Sequence, residues 1–457
     1  MNKSKILITI ASDNGVRNFC ESGAFEQLVR QYDVHVAAFE GITRPITVGQ
    51  VHWVKDYDIT PRSRRRMFAF FVTMKRFGYR CSTFPVKYRE TFYKLLPASR
   101  RFIMDVLTLP GIAEIFMAVN ERLLSTAQGI DAIMDNVKPD LVIVPCAFND
   151  SNTLDVLKSA KYKKIRNLLL MFNWDNVSTK GVLPFLPDYM SVWGPQTLEH
   201  AVQIQKMPSS CIRILGAPQF EIYRQAPSMT AAQWKQINGI PSGKKVLLFT
   251  GMSRLTDEVG LLERLEAAID KGDLPDTHIH YRPHPWKVTY PDERNFFECN
   301  FKHITMDVQM KEHYVNVLTD AQYRKTQRNN FVPDYGYYPS LFASVDAVIS
   351  PGTTMGVEAM VMGKPVLVRG FDDEAGTENP DRFIYTYAHY NCWDKMPSVV
   401  ICRDRKDIVR DCQRLLELAN DPAAPHRLQE EVKYIVDQNE HSFAVRLNEY
   451  VEEILHA

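Results

Sequence analysis

The stretch that decides the fold is SPGTTMGVEAMVMGKPVLV, residues Ser350 to Val368. A β-rich run leads into it, and Pro351 and Gly352 then allow the tight turn that starts a helix at once. The helix ends at Gly363, and the chain returns to a second apolar run. Strand, tight loop, helix and strand in this order predict one crossover unit of a parallel α/β sheet.

The loop inside this stretch has the chemistry of an anion site. The hydroxyls of Thr353 and Thr354 stand where backbone N–H groups have no partner within the helix, an arrangement that suits phosphate. One turn further on, the carboxylate of Glu358 can accept hydrogen bonds from ribose hydroxyls. The predicted ligand-binding residues of this segment are Ser350, Gly352, Thr353, Thr354 and Glu358. A crossover with an ordinary Ser/Thr cap and no ligand is the alternative.

Strand and helix patterns alternate along the chain on both sides of this segment. Short continuous apolar runs are expected where both faces of a parallel sheet are covered. The predicted strands are Lys5–Ile10, Val34–Phe39, Asp140–Pro145, Asn167–Phe172, Tyr189–Trp193, Ile212–Gly216, Lys245–Thr250, Thr277–Arg282, His303–Met306, Ala347–Ser350 and Pro365–Val368. The predicted helices between them include Gly23–Gln31, Ala231–Ile237, Asp257–Lys271, Pro339–Ser344 and Met355–Met362.

The length of 457 residues and the fresh start of the strand pattern near residue 245 predict more than one domain. We expect an N-terminal α/β domain over 1–237 that carries a basic, aromatic and helical insertion at about 54–125. A second α/β domain is expected over 238–405, and C-terminal helices over 406–457.

Composition excludes several classes of protein. Lys plus Arg (55) nearly equals Asp plus Glu (54), so no nucleic-acid partner is expected. The eight cysteines form no CxxC pair and indicate reduced thiols. The N-terminal apolar run is too short for a signal peptide, and no window approaches the roughly 18 apolar residues of a spanning helix. The expected location is cytoplasmic or peripheral on the inner face of a membrane.

The insertion carries a marked excess of positive charge. Between residues 62 and 104, twelve basic residues face a single acid, Glu90. The bases are Arg62, Arg64, Arg65, Arg66, Lys75, Arg76, Arg80, Lys87, Arg89, Lys94, Arg100 and Arg101. Aromatic residues interleave with them, which favours contact with an anionic membrane surface or with an anionic acceptor. The alternative is a helical insertion with an aromatic core stripe and a solvated basic face.

A second motif, HIHYRPHPW, spans His278 to Trp286 at the end of a predicted strand. His284 could hydrogen-bond a phosphate that gains charge as it leaves, and Arg282 offers a planar charged fork to the same oxygens. The alternating histidines raise the question of a metal. No carboxylate close in sequence completes such a site, and we expect none.

Two further segments belong to the first half of the chain. FNWDNVSTKG spans Phe172 to Gly181, and GAPQFEIY spans Gly216 to Tyr223. In the first of these, Trp174 offers a stacking face, Asp175 polar contacts and Lys180 a cation. An Asx-capped turn with a buried tryptophan is the alternative.

Carboxylates that follow strands are candidates for a general base. In open α/β sheets the ligand crevice lies at the carboxyl ends of the strands, which favours Asp13, Asp150 and Asp175. Any of the three could accept a proton from a hydroxyl, or could serve only as a turn residue. In the second half, Arg254 follows the strand 245–250 and is a candidate phosphate ligand.

Taken together, these motifs resemble those of GT-B glycosyltransferases of bacterial surface-polysaccharide synthesis. The Ser350 segment resembles their small-residue loop followed by E-A-hydrophobic-x-x-G-x-P-V. The HP pair with a downstream Ser/Thr loop resembles that of capsule Kdo and sialyltransferases and of CDP-glycerol glycerophosphotransferases. The NWDN segment resembles an element of surface-carbohydrate enzymes. The loop here is SPGTT, where those families have two consecutive serines.

The resemblance implies two Rossmann-like domains facing a cleft, with C-terminal helices, and a metal-independent transfer without a cofactor. It implies catalytic roles for Asp13, Asp175 and His284. Donor contacts are implied for Arg254, Arg282, His284, Ser350, Gly352, Thr353, Thr354 and Glu358. The nucleotide-sugar donor would be of CMP or CDP type in preference to UDP, and the acceptor a glycan or lipid-linked glycan.

Three other functions fit the same pattern. A hydrolysing UDP-sugar 2-epimerase would share the fold and act on its nucleotide sugar without an acceptor. A CDP-glycerol-type transferase would move a polyol phosphate. A GT-B scaffold without enzymatic activity would bind a partner instead.

Overall fold

The computed structural model describes residues 3–55, 57–146, 150–252, 257–285, 295–326, 331–371 and 386–457. The chain divides into two compact units. Unit 1 comprises Met1–Glu221, Thr386–His389 and Tyr434–Ala457, and unit 2 comprises Ile222–Tyr385 and Tyr390–Lys433. Each unit is built on its own sheet.

Unit 1 contains, in the described part of the chain, a seven-stranded parallel sheet of order β3-β2-β1-β4-β5-β6-β7. Its strands are β1 (Lys5–Ile10), β2 (Asp33–Ala38), β3 (Gln50–Trp53), β4 (Leu141–Cys146), β5 (Arg166–Met171), β6 (Tyr189–Val192) and β7 (Ile212–Ile214). The chain reverses its direction of sheet growth between β1 and β4. The carboxyl ends of these two strands therefore define a crevice of the kind that binds ligands in open α/β sheets.

Helices connect and cover this sheet. They are α1 (Asp13–Gly15), α2 (Glu26–Gln31), α3 (Ile59–Arg76), α4 (Thr83–Thr91), α5 (Ala98–Leu107), α6 (Ile112–Leu123), α7 (Gln128–Val137), α8 (Ser151–Tyr162), α9 (Asn176–Thr179) and α10 (Pro195–His200). The last helix of the chain, Phe443–His456, also packs on unit 1, where Leu447, Val451 and Ile454 join the core of the sheet.

Unit 2 repeats the same winding. Its sheet, in the described residues, has six parallel strands of order β10-β9-β8-β11-β12-β13. The strands are β8 (Lys245–Thr250), β9 (Thr277–Arg282), β10 (Ile304–Met306), β11 (Ala347–Ser350), β12 (Val366–Arg369) and β13 (Val400–Cys402). The change of direction falls between β8 and β11, so the loop that follows Ser350 lies at the predicted ligand edge.

The helices of unit 2 lie between and after these strands. They are α11 (Ala231–Ile237), α12 (Glu258–Asp270), α13 (Val308–Thr319), α14 (Ala321–Thr326), α15 (Tyr338–Ser344), α16 (Thr354–Val361), α17 (Ile408–Ala419) and α18 (Ala424–Val432). The C-terminal helix of unit 1 is α19 (Phe443–His456). The α/β fold with two Rossmann-like domains predicted from the sequence is confirmed.

The insertion between β3 and β4 is helical and has its own core. Buried side chains of α3 and α4 form it with Met104 and Ala113, and Phe68, Phe71 and Phe92 pack against it. The rings of Phe71 and Phe92 stack with centroids 4.0 Å apart. The aromatic side chains that alternate with the basic residues therefore contribute mainly to the interior of this helical layer.

The basic residues of the insertion do not form one solvated face. Arg66 is buried and pairs with Asp155 of α8 and with Glu121 of α6. Lys75 and Arg76 pair with carboxylates of α5 and α6, and Lys87 donates to the carbonyl oxygen of Thr179. Of the alternative, a helical insertion with an aromatic core stripe and a solvated basic face, the core stripe is found, but several of the cations are bound to neighbouring elements and not solvated.

Candidate functional site

The loop after β11 is shaped by its own residues. The buried Ser350 hydroxyl accepts a hydrogen bond from the Thr353 N–H at 3.3 Å, and the two hydroxyl oxygens lie 3.2 Å apart. Gly352 has φ +76°, a conformation that favours glycine, and a Cβ there would lie 3.3 Å from the Tyr390 ring. The tight turn predicted from Pro351 and Gly352 is confirmed.

This loop delivers the chain into α16. Thr353 is the N-cap residue in extended conformation, and its side chain makes no capping hydrogen bond to the helix. Thr353 and Thr354 are partly exposed, and Glu358 lies half-buried one turn into the helix. The N-terminal end of a helix and two adjacent hydroxyls are thus placed at the switch point, as an anion site requires.

The loops after β8 and β9 reach the same edge. A Cβ on Gly251 would stand 2.8 Å from the backbone nitrogen of His284, so only glycine allows the two loops to approach this closely. His284 is half-buried. Arg254 lies outside the described residues, and its role stays a prediction.

The loop after β8 is held by a carboxylate that sequence reasoning missed. Glu258, at the start of α12, is buried. It accepts hydrogen bonds from the backbone N–H of Met252 at 2.8 Å and from the Tyr281 hydroxyl at 2.6 Å. An acid in the first helical turn after a strand was the available signal, but its two partners depend on the folded arrangement.

Arg282 ends β9 within a buried polar network. Its Nη1 lies 2.7 Å from Oδ2 of Asp307, which His280 Nε2 also approaches at 3.2 Å. Its Nη2 donates to the Tyr338 hydroxyl at 3.3 Å. Burial alone would raise the pKa of Asp307, yet the charge of Arg282 and the hydrogen bonds from His280 and Arg282 hold it far below its usual range. The guanidinium is therefore fixed and permanently charged.

Tyr337 is buried in this network. Its hydroxyl donates to Asp307 at 3.3 Å and accepts a hydrogen bond from the Asn238 side-chain amide at 3.1 Å. A second buried cation, Arg369 at the end of β12, donates to the carbonyl oxygen of Thr250 at 3.2 Å. Sequence analysis missed both Asp307 and Arg369. Two buried arginines, Arg282 and Arg369, thus stand at the carboxyl ends of β9 and β12.

The paired histidines of β9 have protein partners. His278 Nε2 lies 3.0 Å and His280 Nδ1 lies 3.4 Å from the hydroxyl of Thr305. Among the residues that the structure describes, no group of three or more His, Cys, Asp or Glu side chains is placed to hold a metal ion.

Burial of His278 predicts a pH-dependent stability. Desolvation, with the charges of nearby His and Lys residues, lowers its pKa from 6.5 to about 4. Below pH 6.5 the unfolded chain binds a proton that the folded chain excludes, so stability falls as pH decreases from 6.5 toward 4. The full loss from this group is about 3 kcal/mol. Urea denaturation at several pH values should show that the free energy of unfolding depends less steeply on pH in His278→Gln than in the wild type, and an equal dependence in both would contradict the prediction.

In unit 1, Asp13 follows β1 as predicted, but its carboxylate is fully engaged. Oδ1 accepts from the backbone N–H groups of Thr43 (2.8 Å) and Arg44 (2.9 Å), and Oδ2 accepts from the Thr43 hydroxyl at 2.7 Å. The geometry shows a carboxylate that clamps the loop after β2. A role as general base stays a prediction and would require one of these bonds to open.

Asp175 lies in the segment after β5, and its pKa is influenced by His389, a residue far away in sequence. Burial would raise its pKa, but the charges of Lys180, His389 and Lys87 and a hydrogen bond from Thr179 lower it overall. The Thr179 hydroxyl donates to Oδ2 at 3.0 Å. Asp175 is therefore held as a carboxylate beside three basic groups.

His389 is the functional candidate that sequence analysis missed in unit 1. Its ring lies edge-on to Trp174, with centroids 5.1 Å apart, and its Nδ1 is 3.3 Å from the Ser178 hydroxyl. Gln196 donates to its carbonyl oxygen at 2.9 Å. Trp174 is buried, as the alternative of an Asx-capped turn with a buried tryptophan expects, and the His389 ring is one of its contacts. No local sequence signal could pair residues more than two hundred positions apart.

Asp150, the third candidate carboxylate, caps α8 and accepts from the Asn152 N–H at 3.0 Å. Burial raises its pKa against the opposing effect of that hydrogen bond. The pKa values of Asp150 and Asp175 are thus displaced in opposite directions, each by its own surroundings.

Comparison with known proteins finds the same fold in solved structures but no relative by sequence. No protein-family model matches the chain, and no curated protein matches it in sequence. Among solved structures, it is similar to UDP-GlcNAc 2-epimerase from Neisseria meningitidis bound to UDP-GlcNAc, with 12% identity, 99% of this chain and 100% of that chain covered, and a TM-score of 0.51.

Two other solved structures give the same result. A UDP-N-acetylglucosamine 2-epimerase from Rickettsia bellii has 10% identity, coverage of 100% and 98%, and a TM-score of 0.53. A glycosyltransferase from Rickettsia africae has 10% identity, coverage of 100% and 98%, and a TM-score of 0.50. At these identities the likeness shows the fold alone. The two-domain α/β fold is that of GT-B-type enzymes.

Proposed function

We propose that this chain is a glycosyltransferase that moves a sugar from a nucleotide-activated donor to a glycan or lipid-linked acceptor in bacterial surface-glycan synthesis. The observation that carries the proposal is the switch-point edge of unit 2. There the Ser350–Thr353 loop leads from β11 into the N-terminal end of α16, the loop of His284 approaches Gly251 at the end of the neighbouring strand β8, and Arg282 ends β9 in a buried pair with Asp307. Such an edge suits the phosphates of a nucleotide sugar.

The chemistry follows from where charge develops. When the bond from sugar to phosphate breaks, negative charge grows on the leaving phosphate. Preorganised N–H groups, the hydroxyls of Thr353 and Thr354 and the cation Arg282 stabilise that charge, with His284 as a hydrogen-bond donor. Glu358 would accept from the ribose hydroxyls. The proposal needs no metal or cofactor, because the protein supplies the positive potential.

The acceptor hydroxyl needs a base, and unit 1 supplies the candidates. Asp175 is favoured over Asp13, whose carboxylate already accepts three hydrogen bonds. Neighbouring basic groups lower the pKa of Asp175, which keeps it ionised but makes it a weaker base, and the imidazole of His389 beside Trp174 is a second group that could accept the proton. The proposed place of action is the cytoplasm, at the inner face of the membrane.

The preferred nucleotide is of CMP or CDP type, on the strength of the sequence motifs. Thermal shifts with CMP, CDP, UDP and GDP test this directly, since a ligand at about 100 times its Kd adds about 2.7 kcal/mol to native-state stability. We expect the largest shift with CMP or CDP. A largest shift with UDP would overturn the cytidine preference, and no shift with any nucleotide would favour a scaffold without enzymatic activity.

A hydrolysing 2-epimerase is the alternative enzyme, because several solved structures of the same fold are named UDP-GlcNAc 2-epimerases. The two activities differ in their need for an acceptor. Incubation of the protein with the preferred nucleotide sugar alone should leave most of it intact if the chain is a transferase. Rapid, acceptor-independent release of the nucleotide with an epimerised sugar would establish the alternative.

A further inference from the structure

Helices α5 and α6 of the insertion expose large apolar side chains to solvent. Phe102 is 69% exposed, Ile115 66% and Leu123 67%. Further exposed members of the same two helices and their connection are Ile103, Val106, Leu109, Ile112 and Val119. Ile112, Ile115, Val119 and Leu123 recur at intervals of three and four and so line one side of α6. We call this surface the α5–α6 face. Scattered apolar residues are normal, but a contiguous set is not.

The opposite sides of both helices are packed. Met104 of α5 and Ala113 and Asn120 of α6 are buried, and Phe116 and Met117 pack against the insertion core. The two helices are thus amphipathic, and their buried sides pack on the core of the insertion. The apolar residues of the α5–α6 face are an outward surface and not an unfilled part of the core.

The charges around this face are sorted by sign. Helices α5 and α6 carry three acids, and each is paired with a base of α3. The pairs are Asp105 with Lys75, Glu114 with Arg76, and Glu121 with Arg66. By contrast, Arg64, Arg100 and Arg122 are exposed, and the described ion pairs include none of them. Within the described ion pairs the acids of α5 and α6 are neutralised whereas Arg100 and Arg122 are not included, so the two helices carry an excess of exposed positive charge.

The geometry points to a membrane surface as the occupant. No single described helix is long and apolar enough to cross a bilayer, whereas α5 and α6 pass that test as a pair bent by 96°. A span needs about 20 residues in line, so two short helices at nearly a right angle suit insertion in the plane of the interface. We propose that the α5–α6 face docks on an anionic bilayer, with the apolar residues among the acyl chains and the arginines at the headgroups. This goes beyond the proposed transferase activity and does not depend on it.

Vesicle flotation tests the proposal with phosphatidylcholine alone and with added phosphatidylglycerol. The wild type should float with the anionic vesicles. The partition coefficient into vesicles should fall by more than about a hundredfold in the triple variant Phe102→Ser/Ile115→Ser/Leu123→Ser, because three exposed apolar side chains no longer enter the lipid. Arg64→Gln/Arg100→Gln/Arg122→Gln should lose its preference for anionic vesicles, at about fivefold for each arginine.

The matched control is Val29→Ser/Tyr162→Ser, which removes exposed apolar side chains elsewhere on unit 1. It should float like the wild type, and all variants should melt within a few degrees of it, since only exposed residues change. Equal flotation of the serine triple variant and the wild type would overturn the proposal. So would sedimentation showing a wild-type dimer that this variant converts to monomer, which would make the face a self-association surface.

Discussion

Thr353→Val/Thr354→Val should lower the kcat/KM of sugar transfer by about 10²–10³, the usual cost of removing donors aimed at a developing anion. Valine keeps the shape of threonine and removes only the hydroxyl. The Thr353 side chain makes no capping hydrogen bond to α16. Removal of the Thr353 hydroxyl should therefore not weaken the start of this helix. The measurement is initial-rate kinetics with the preferred nucleotide sugar, together with the nucleotide-induced thermal shift.

The control for this experiment is Thr319→Val in α13, an exposed threonine of the same unit whose hydroxyl bonds only to the carbonyl oxygen of Val315 in the described contacts. It should retain full activity. The site assignment would be wrong if the Thr353/Thr354 variant kept both its turnover and its nucleotide shift. A loss of turnover with an unchanged nucleotide shift would place the two hydroxyls on the transition state and not on the bound donor.

The central strands of both sheets were predicted well because both of their faces are covered. Lys5–Ile10, Lys245–Thr250, Thr277–Arg282 and Ala347–Ser350 were predicted with the bounds that the structure shows. A strand buried on two sides needs apolar residues at successive positions, and that run is visible in sequence. Helix Ala231–Ile237 was also predicted with its observed bounds, since Thr230 and Gln233 form a capping box.

Two of the four edge strands were missed for the complementary reason, whereas the edge strands β7 and β10 were predicted. β3 (Gln50–Trp53) lies at one edge with mostly exposed side chains, and β13 (Val400–Cys402) is an edge strand of three residues. Edge strands require neither a continuous apolar run nor strict alternation. Their pairing is decided by the neighbouring strand, which a local pattern cannot reveal.

For the candidate sites, sequence analysis predicted positions at strand ends but not their partners. The placement of Ser350, His284 and Asp175 follows from topology, because each lies at the carboxyl end of a parallel strand or within four residues of it. Asp307 beneath Arg282 and His389 beside Trp174 are tertiary contacts. Long separations along the chain leave no periodic trace, so these neighbours could be found only from the folded structure.

The second large effect is expected at Asp155, the buried carboxylate that fixes the insertion to the sheet of unit 1. Its Oδ1 lies 2.5 Å from Arg66 Nη2, and its Oδ2 lies 3.3 Å from Arg62 Nη1 and accepts from the Tyr57 hydroxyl at 3.0 Å. Asp155→Ala should cost about 3–5 kcal/mol, because Arg66 would keep a buried charge without its main partner. Urea denaturation measures the loss.

The control for Asp155→Ala is Asp135→Ala, which removes an exposed carboxylate that pairs with Lys163 on the surface. It should change the free energy of unfolding by no more than about 0.5 kcal/mol. The decisive comparison is with Arg66→Met/Asp155→Leu. Replacing both members of a buried pair by apolar groups removes the desolvation cost along with the attraction, so the double variant should be more stable than Asp155→Ala. The single variants Arg66→Met and Asp155→Leu complete the comparison. If the loss of unfolding free energy in the double variant equalled the sum of the losses in these two, the pair would not act as a unit. Packing of α3 against α8, and not this ion pair, would then hold the insertion in place.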